Sequence, residues 1–240
     1  MKYLTWNVNG LRAIVSKGFE EHINVIIPDI IGVQEVKMSV ELPQIELPGY
    51  YAYYNHGTRP GYSGVALFSK EKAISVVKDS MSEGRFIALE FPSYYVASLY
   101  APNAGRGIER KTEFDKYILD LIIELDKSKP VIIGGDFNVA RSDKDVYSPS
   151  LDGTPGYTKE EREDIERLLS HSFTDVFRYL FPDEIKYTWW SYKTRARERD
   201  EGMRIDYMIV SQRIRERVNN LSVLSTPGSD HAPLLLDIAF

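Results

Sequence analysis

The sequence predicts an α/β protein in which two sheets pack back to back with helices outside. Three observations carry that reading. Short apolar, β-branched segments bounded by turn residues recur along the chain, and segments with a 3.6-residue apolar period lie between them. Their order, roughly strand, helix, strands, helix, strand, helix, strands, calls for more than one sheet layer. No low-complexity stretch, linker or strict repeat interrupts the 240 residues. Residues 1–240 are therefore read as one domain, long enough to bury about 70% of its unfolded surface.

Taken in order, Lys2 to Val8 reads as a strand and Asn9-Gly10 as a turn. Leu11, Ile14 and Val15, then Phe19, Ile23, Ile26 and Ile27, recur at helical spacing up to Pro28. Asp29 to Gln34 is a buried strand that ends at Glu35, and Tyr50 to His56 is a tyrosine-rich strand. Val65–Phe68, Ala73–Val77, Phe86–Phe91 and Tyr94–Tyr100 follow with short links that suit antiparallel pairing. Phe114, Tyr117, Ile118, Leu121, Ile122 and Leu125 form one helical stripe. Ser142 to Tyr157, with two Pro and two Gly, reads as a long surface loop of the kind that is often functional. Thr158 and Glu161 form a capping box for the next helix. Phe173, Val176, Phe177, Leu180 and Phe181 repeat a helical pattern, and Met203–Val210, Leu221–Leu224 and Pro233–Ile238 are the last strands.

The stretch around which the rest is organised is Val131-Ile132-Ile133-Gly134-Gly135-Asp136-Phe137-Asn138-Val139. A short apolar strand meets two glycines that let the backbone turn. Asp136 and Asn138, two apart, share a face of an extended segment. A carboxylate and an amide thus arrive together at a strand end, where ligands sit in α/β proteins. Taken alone, Gly-Asp-x-Asn reads first as a strand followed by an Asx turn, and it gains force only from its company.

Composition narrows the classes. There is no Cys, which excludes a disulfide framework and thiolate metal sites. Met1 to Gly10 lacks the apolar core of a signal peptide. Asn24, Pro28 and Asp29 interrupt the most apolar stretch, Ile23 to Val33, so it does not span a membrane. A soluble, cytoplasmic protein without membrane partners is expected. The net charge of −5 argues against coating a polyanion through bulk charge but leaves room for a local basic stripe.

Acidic and amide side chains recur at the expected strand ends: Asn7, Asn9, Glu35, Asp136, Asn138, Asp206, Asp230. Each alone reads as a cap, a turn or a solvated charge. Asp206 is harder to dismiss, because its strand is apolar and a carboxylate there needs a partner. Among four histidines, His22 and His171 sit in polar settings and His56 is ambiguous. His231, on a Gly- and Pro-bounded loop before an apolar strand, is the candidate for chemistry. No Ser–His nucleophile pair or Walker loop stands out. Oxygen ligands with one His suit a hard divalent ion that polarises a phosphodiester, with a carboxylate base and an imidazolium to stabilise charge.

Seven motifs then occur in order: Thr5-Trp6-Asn7-Val8-Asn9-Gly10-Leu11-Arg12-Ala13, Gln34-Glu35-Val36-Lys37, Tyr62-Ser63-Gly64-Val65, Tyr100-Ala101-Pro102-Asn103-Ala104-Gly105, Gly135-Asp136-Phe137-Asn138-Val139-Ala140, Arg204-Ile205-Asp206-Tyr207 and Ser229-Asp230-His231. Together they resemble the exonuclease III family of apurinic/apyrimidinic endonucleases, within the endonuclease/exonuclease/phosphatase superfamily, from Met1 nearly to Phe240. The resemblance implies a four-layer α/β/β/α sandwich of two mixed sheets, packed face to face. It also implies Mg²⁺-dependent cleavage of DNA 5′ to an abasic site, with Mn²⁺ as an alternative ion. A 3′-5′ exonuclease or 3′-end-cleaning activity belongs to the same expectation. The implied substrate is double-stranded DNA with abasic sites or damaged 3′ ends, met by a monomer. By motif position Glu35 is the principal metal ligand, helped by Asn9, with Asp230 near the metal. Asp136 activates water, Asn7 and Asn138 order phosphate and nucleophile, and Asp206 orients His231, which contacts the scissile phosphate together with Tyr100 and Asn103.

Two departures stand out. Some members carry Asp where this chain has Asn9, a weaker ligand. Some carry Trp where Met203 stands as one wall of the base-free sugar pocket, opposite Trp189. For DNA contacts, Arg12, Lys37, Tyr62, Arg85 and Arg106 are expected along one face by family position. Lys193, Arg195, Arg197 and Arg199 alternate after the aromatic run Trp189, Trp190 and Tyr192, with Arg204 following. That pattern suits a backbone-gripping loop with stacking surfaces, or equally a solvated edge. A phosphatase or phosphodiesterase acting on RNA or phosphoinositides, and a DNA-binding module without catalysis, are the competing readings.

Overall fold

The computed structural model describes residues 1–41 and 44–240. The strands are β1 (Lys2–Asn7), β2 (Ile30–Gln34), β3 (Tyr51–Asn55), β4 (Val65–Ser69), β5 (Ser75–Lys78), β6 (Phe86–Glu90), β7 (Tyr95–Tyr100), β8 (Val131–Asp136), β9 (Phe173–Asp175), β10 (Asp206–Ser211), β11 (Val218–Val223) and β12 (Leu234–Ile238). The helices are α1 (Leu11–Val15), α2 (Phe19–Ile26), α3 (Ile108–Ser128), α4 (Lys159–Ser170) and α5 (Val176–Leu180). Two six-stranded mixed sheets form, in the orders β11-β12-β1-β2-β4-β3 and β5-β6-β7-β8-β10-β9. They pack face to face with helices on the outer faces, the four-layer sandwich that the resemblance implied.

Central strands are buried on both faces, which is why they read as continuous apolar runs. In β2, Ile30 points between the sheets while Ile31 and Val33 face α1 and α2. In β8, Ile132 points inward while Val131 and Ile133 face α3. Tyr3 crosses the gap between the sheets, its hydroxyl donating to the Ala97 carbonyl at 2.7 Å. A Cβ on Gly32 or Gly134 would come within 2.5 Å or 2.8 Å of that hydroxyl. Gly134 therefore admits a tyrosine from the opposite sheet.

This corrects the expectation that the two glycines end the strand: β8 continues through both to Asp136. A Cβ on Gly135 would lie 2.0 Å from the Leu99 carbonyl oxygen. Other details differ too. The segment near Ala73 pairs with β6, not with β4, so the chain changes sheets between Ser69 and Ser75. Phe173 lies on β9, which pairs with β10, rather than on a helix. Met203 precedes β10 and makes only isolated bridges to Val146 and Trp189. The segment from Ser142 to Tyr157 is largely exposed, as expected of a surface loop, but it contains two 3₁₀ turns and anchors itself through buried Asp145, Val146 and Tyr157. The Thr158–Glu161 capping box forms as expected.

Candidate active site

Both sheets deliver side chains to one end of the sandwich. β1 runs parallel to β2 and β7 parallel to β8, so their C-terminal ends meet at the same edge. Asn7 ends β1, Glu35 follows β2, and Tyr100 and Asp136 are register partners at the ends of β7 and β8. β10 is antiparallel to β8 and opens with Asp206 directly opposite Asp136. His231 lies just before β12, and its carbonyl accepts from Trp6 Nε1 at 3.0 Å.

The backbone is bent to serve this corner. Asn9, Glu35, Lys37 and Asn138 are non-glycine residues at φ 52°, 53°, 53° and 52°. Left-handed geometry of this kind costs on the order of 1–3 kcal/mol per residue and clusters at functional sites. Asn138 shows why the turn reading and the site reading coexist. Its backbone N–H donates to Asp136 Oδ1 at 2.8 Å, an Asx turn, while its amide donates to the Ala101 carbonyl at 2.9 Å.

The side chains form a connected chain. Asn7 Nδ2 donates to Asp136 Oδ2 at 2.8 Å and to Glu35 Oε1 at 3.1 Å, bridging the two sheets. His231 Nδ1 lies 2.9 Å from Asp206 Oδ2 and 3.1 Å from Oδ1, and its Nε2 is 3.8 Å from Asp136 Oδ2. Asn103 donates to Asn138 Oδ1 at 3.1 Å. Asn9 Nδ2 donates to Asp230 Oδ1, and Trp189 Nε1 to Asp230 Oδ2, at 3.0 and 3.1 Å.

Electrostatics sorts these groups into roles. Burial raises the Asp136 carboxyl well above the ordinary range, partly offset by His231. For His231, burial works against the charged ring, but Asp206 and then Asp136 outweigh it and raise its pKa, so the ring is an imidazolium. Burial, with the Glu35 and Asp136 carboxylates, pushes the Tyr100 phenol far up and keeps it a proton donor. Burial also works against the Glu35 carboxylate, and Lys37 and Asn7 overcome it, leaving that group below its usual range.

A family model described as the endonuclease/exonuclease/phosphatase family matches residues 4–231. The chain belongs to that family. It is 40% identical over 250 residues to an exodeoxyribonuclease of Bacillus subtilis, covering 99% of each chain. It is 35% identical to the DNA repair nuclease APEX1 of Danio rerio, covering all of this chain and 82% of that one. Among solved structures, the AP endonuclease of Leishmania major superposes with a TM-score of 0.88 at 26% identity, covering 98% of this chain and 86% of that chain.

Within this family member, the donor set fits a hard divalent ion. Glu35, Asn9, Asp230 and Asp136 offer oxygens only. Glu35, Asp136 and His231 each place one potential ligand atom within 4.8 Å of the others. The charged imidazolium has no free lone pair, however, so the oxygens are the usable donors. Lys37 places its ammonium 2.7 Å from Glu35 Oε2, so a cation is already accommodated there.

The rim departs from expectation in three places. Arg204 is only 1% exposed, with its guanidinium paired to Asp145 at 2.7 Å and Asp175 at 2.8 Å. It is a buried cation held by two carboxylates rather than an exposed one. Arg85 is likewise buried. It donates to the Tyr62 hydroxyl at 3.1 Å and the Tyr100 carbonyl at 3.0 Å, and so positions two aromatic rings instead of meeting phosphate. Lys37, expected along the DNA face, has its ammonium on Glu35 and Asn9. Tyr62 and Arg106 do lie on an open cleft of about 350 Å³, with Arg106 5.2 Å over the Tyr62 ring. Arg12 is exposed on α1. Met203 is buried against Val146, Tyr157 and Ile205, with Trp189 half-buried beside it.

Sequence reasoning missed several supports. Thr188 Oγ1 accepts from the backbone N–H groups of Ile205 and Asp206, each at 3.1 Å, fixing the start of β10. Ser229 Oγ donates to the Asn7 carbonyl at 2.7 Å and accepts from His231 N at 3.2 Å. Ser229 stood inside a quoted motif, but as a lone hydroxyl it carried no signal of its own. Arg59 and Arg110 also line the Tyr62 cleft, and nothing in their spacing announced it.

Proposed function

We propose that this chain is a DNA-repair phosphodiesterase that hydrolyses the DNA backbone 5′ to abasic sites with a bound divalent ion, Mg²⁺ or Mn²⁺. Trimming of damaged 3′ ends and 3′-5′ exonuclease action use the same centre. The observation that carries the reading is the unbroken contact chain Asp206–His231–Asp136–Asn7–Glu35 at one end of both sheets. The family relatives named as exodeoxyribonuclease and DNA repair nuclease support the choice of DNA.

Glu35, Asn9 and Asp230 would hold the ion, which supplies Lewis-acid polarisation of the phosphodiester. Asp136, raised toward neutrality, takes the proton of the attacking water as the new P–O bond forms, a match between pKa and working pH that favours a general base. Asn7 and Asn138 hold the Asp136 carboxylate and leave it one orientation. His231, kept charged by Asp206, faces the phosphoryl oxygens as charge builds, and Tyr100, held protonated, donates a hydrogen bond nearby. The bond to the 3′ oxygen breaks, the leaving oxygen takes a proton from solvent, and a free 3′-hydroxyl is left. Trp189 and Met203 form the walls met by a base-free sugar, which is less costly to extrude than a paired base. Arg12, Tyr62, Asn103 and Arg106 meet the flanking backbone.

A substrate panel tests this. Duplexes carrying one tetrahydrofuran abasic analogue, an intact duplex, a recessed 3′ end, RNA and inositol phosphates are incubated with Mg²⁺ and the products mapped. A single cut 5′ to the analogue is expected, at a rate far above that for RNA or inositol phosphates. Preferential release of phosphate from inositol phosphates, or preferential cleavage of RNA, would overturn it.

A further inference from the structure

The Lys37 ammonium sits on two side chains that the reading above assigns to the ion, Glu35 and Asn9. Its ammonium lies 2.7 Å from Glu35 Oε2 and also donates to Asn9 Oδ1. The remaining polar atoms of both partners each carry one other contact. Glu35 Oε1 accepts from Asn7 at 3.1 Å, and Asn9 Nδ2 donates to Asp230 at 3.0 Å. Of the oxygens on Glu35 and Asn9, the two that carry no amide contact are therefore the two that Lys37 holds. The lysine side chain is 33% exposed, so a path to solvent is open to it. Its four-carbon stem is flexible enough to take that path.

A divalent ion and an ammonium do not share one pair of oxygens. The ion must approach to about 2.0–2.1 Å if it is Mg²⁺. Like charges that close in a partly desolvated cleft repel strongly. We propose that Lys37 is a resident counter-cation whose ammonium competes with the divalent ion for Glu35 Oε2 and Asn9 Oδ1 and swings outward when the ion binds. The inference rests on the metal-dependent reading above. The outward ammonium then lacks an anionic partner, and a DNA phosphate entering the cleft supplies one. Metal and DNA binding are thereby coupled, each tightening the other by the same factor.

The test is Mn²⁺ binding to the full chain without DNA, by titration calorimetry, for wild type, Lys37→Met, Lys37→Arg and Glu35→Gln. Lys37→Met is expected to bind roughly tenfold more tightly than wild type, Lys37→Arg close to wild type, and Glu35→Gln not at all. Thermal melting checks that Lys37→Met is folded, with Lys37→Gln as the substitute neutral variant. Equal or weaker Mn²⁺ affinity in a folded neutral variant, with binding still lost in Glu35→Gln, would overturn the counter-cation alone. Absence of Mn²⁺ binding at millimolar concentration in wild type and neutral variant alike would overturn the metal reading as well.

Discussion

Asp136 and His231 lie 3.8 Å apart in a buried corner, and each favours the charged form of the other. A carboxyl raised by burial accepts a proton only once ionised, so kcat/KM should fall as pH drops below about 7. The imidazolium has the opposite dependence. With Asp206 and Asp136 holding it charged, it loses its proton only well above neutral pH, and activity should fall there. Asp206→Asn removes the larger of those two supports. It should lower the single-turnover rate by about two orders of magnitude and move the alkaline limb to lower pH. A full pH profile of both proteins checks this, and an unmoved alkaline limb would count against His231 as the charged group.

At the scale of elements, two buried ion clusters hold the layers in register. Arg204, two residues ahead of Asp206, ties Asp145, the buried anchor of the 142–157 loop, to Asp175 at the end of β9. Removing one member of a buried pair leaves an uncompensated charge, so Arg204→Met should cost about 3–5 kcal/mol in urea unfolding. Between α3 and α4, buried Lys111 pairs with Asp115 at 2.5 Å, with Asp164 and Glu161 close enough to act on the same carboxyl. Burial raises Asp115 to about 6, against the pull of Lys111. Because the folded value lies above the ordinary one, the fold favours the neutral form. That contribution is present below about pH 4 and lost as pH rises through 6. Lys111→Met removes the compensating cation, so its destabilisation should be larger at pH 8 than at pH 5. Urea melts at both values measure it, and a pH-independent loss would exclude the Asp115 account.

At the scale of the molecule, what was legible in the sequence was local and what was not depended on distant contacts. β8 and the Thr158 cap carry their signals within a few residues, so period and capping found them. Seven short motifs in order identified the site, because each lies at a strand end that the fold brings to one edge. Arg204 was misread because its partners lie 59 and 29 residues away, and without them its burial is invisible. The contact of Lys37 with Glu35 was hidden for the same reason, since that pairing is defined only by the turn after β2. The sheet change after Ser69 carried no turn chemistry different from a hairpin. Despite the net charge of −5, DNA binding should fall steeply with salt, since the guanidinium of Arg106 sits with Arg59 and Arg110 on one cleft. Arg106→Ala should reduce the slope of log K against log salt by about 0.9, the release of one phosphate contact.

The central claim is that side chains from Asn7 to His231 form one hydrolytic centre that uses a divalent ion. Single-turnover incision of an abasic-analogue duplex with Mg²⁺, comparing wild type with Asp136→Ala and with wild type in EDTA, tests it most directly. The account predicts a loss of about 10²–10⁴ for Asp136→Ala with the duplex still bound, and no incision in EDTA. Incision that persists in EDTA, or an Asp136→Ala rate within a few fold of wild type, would contradict it.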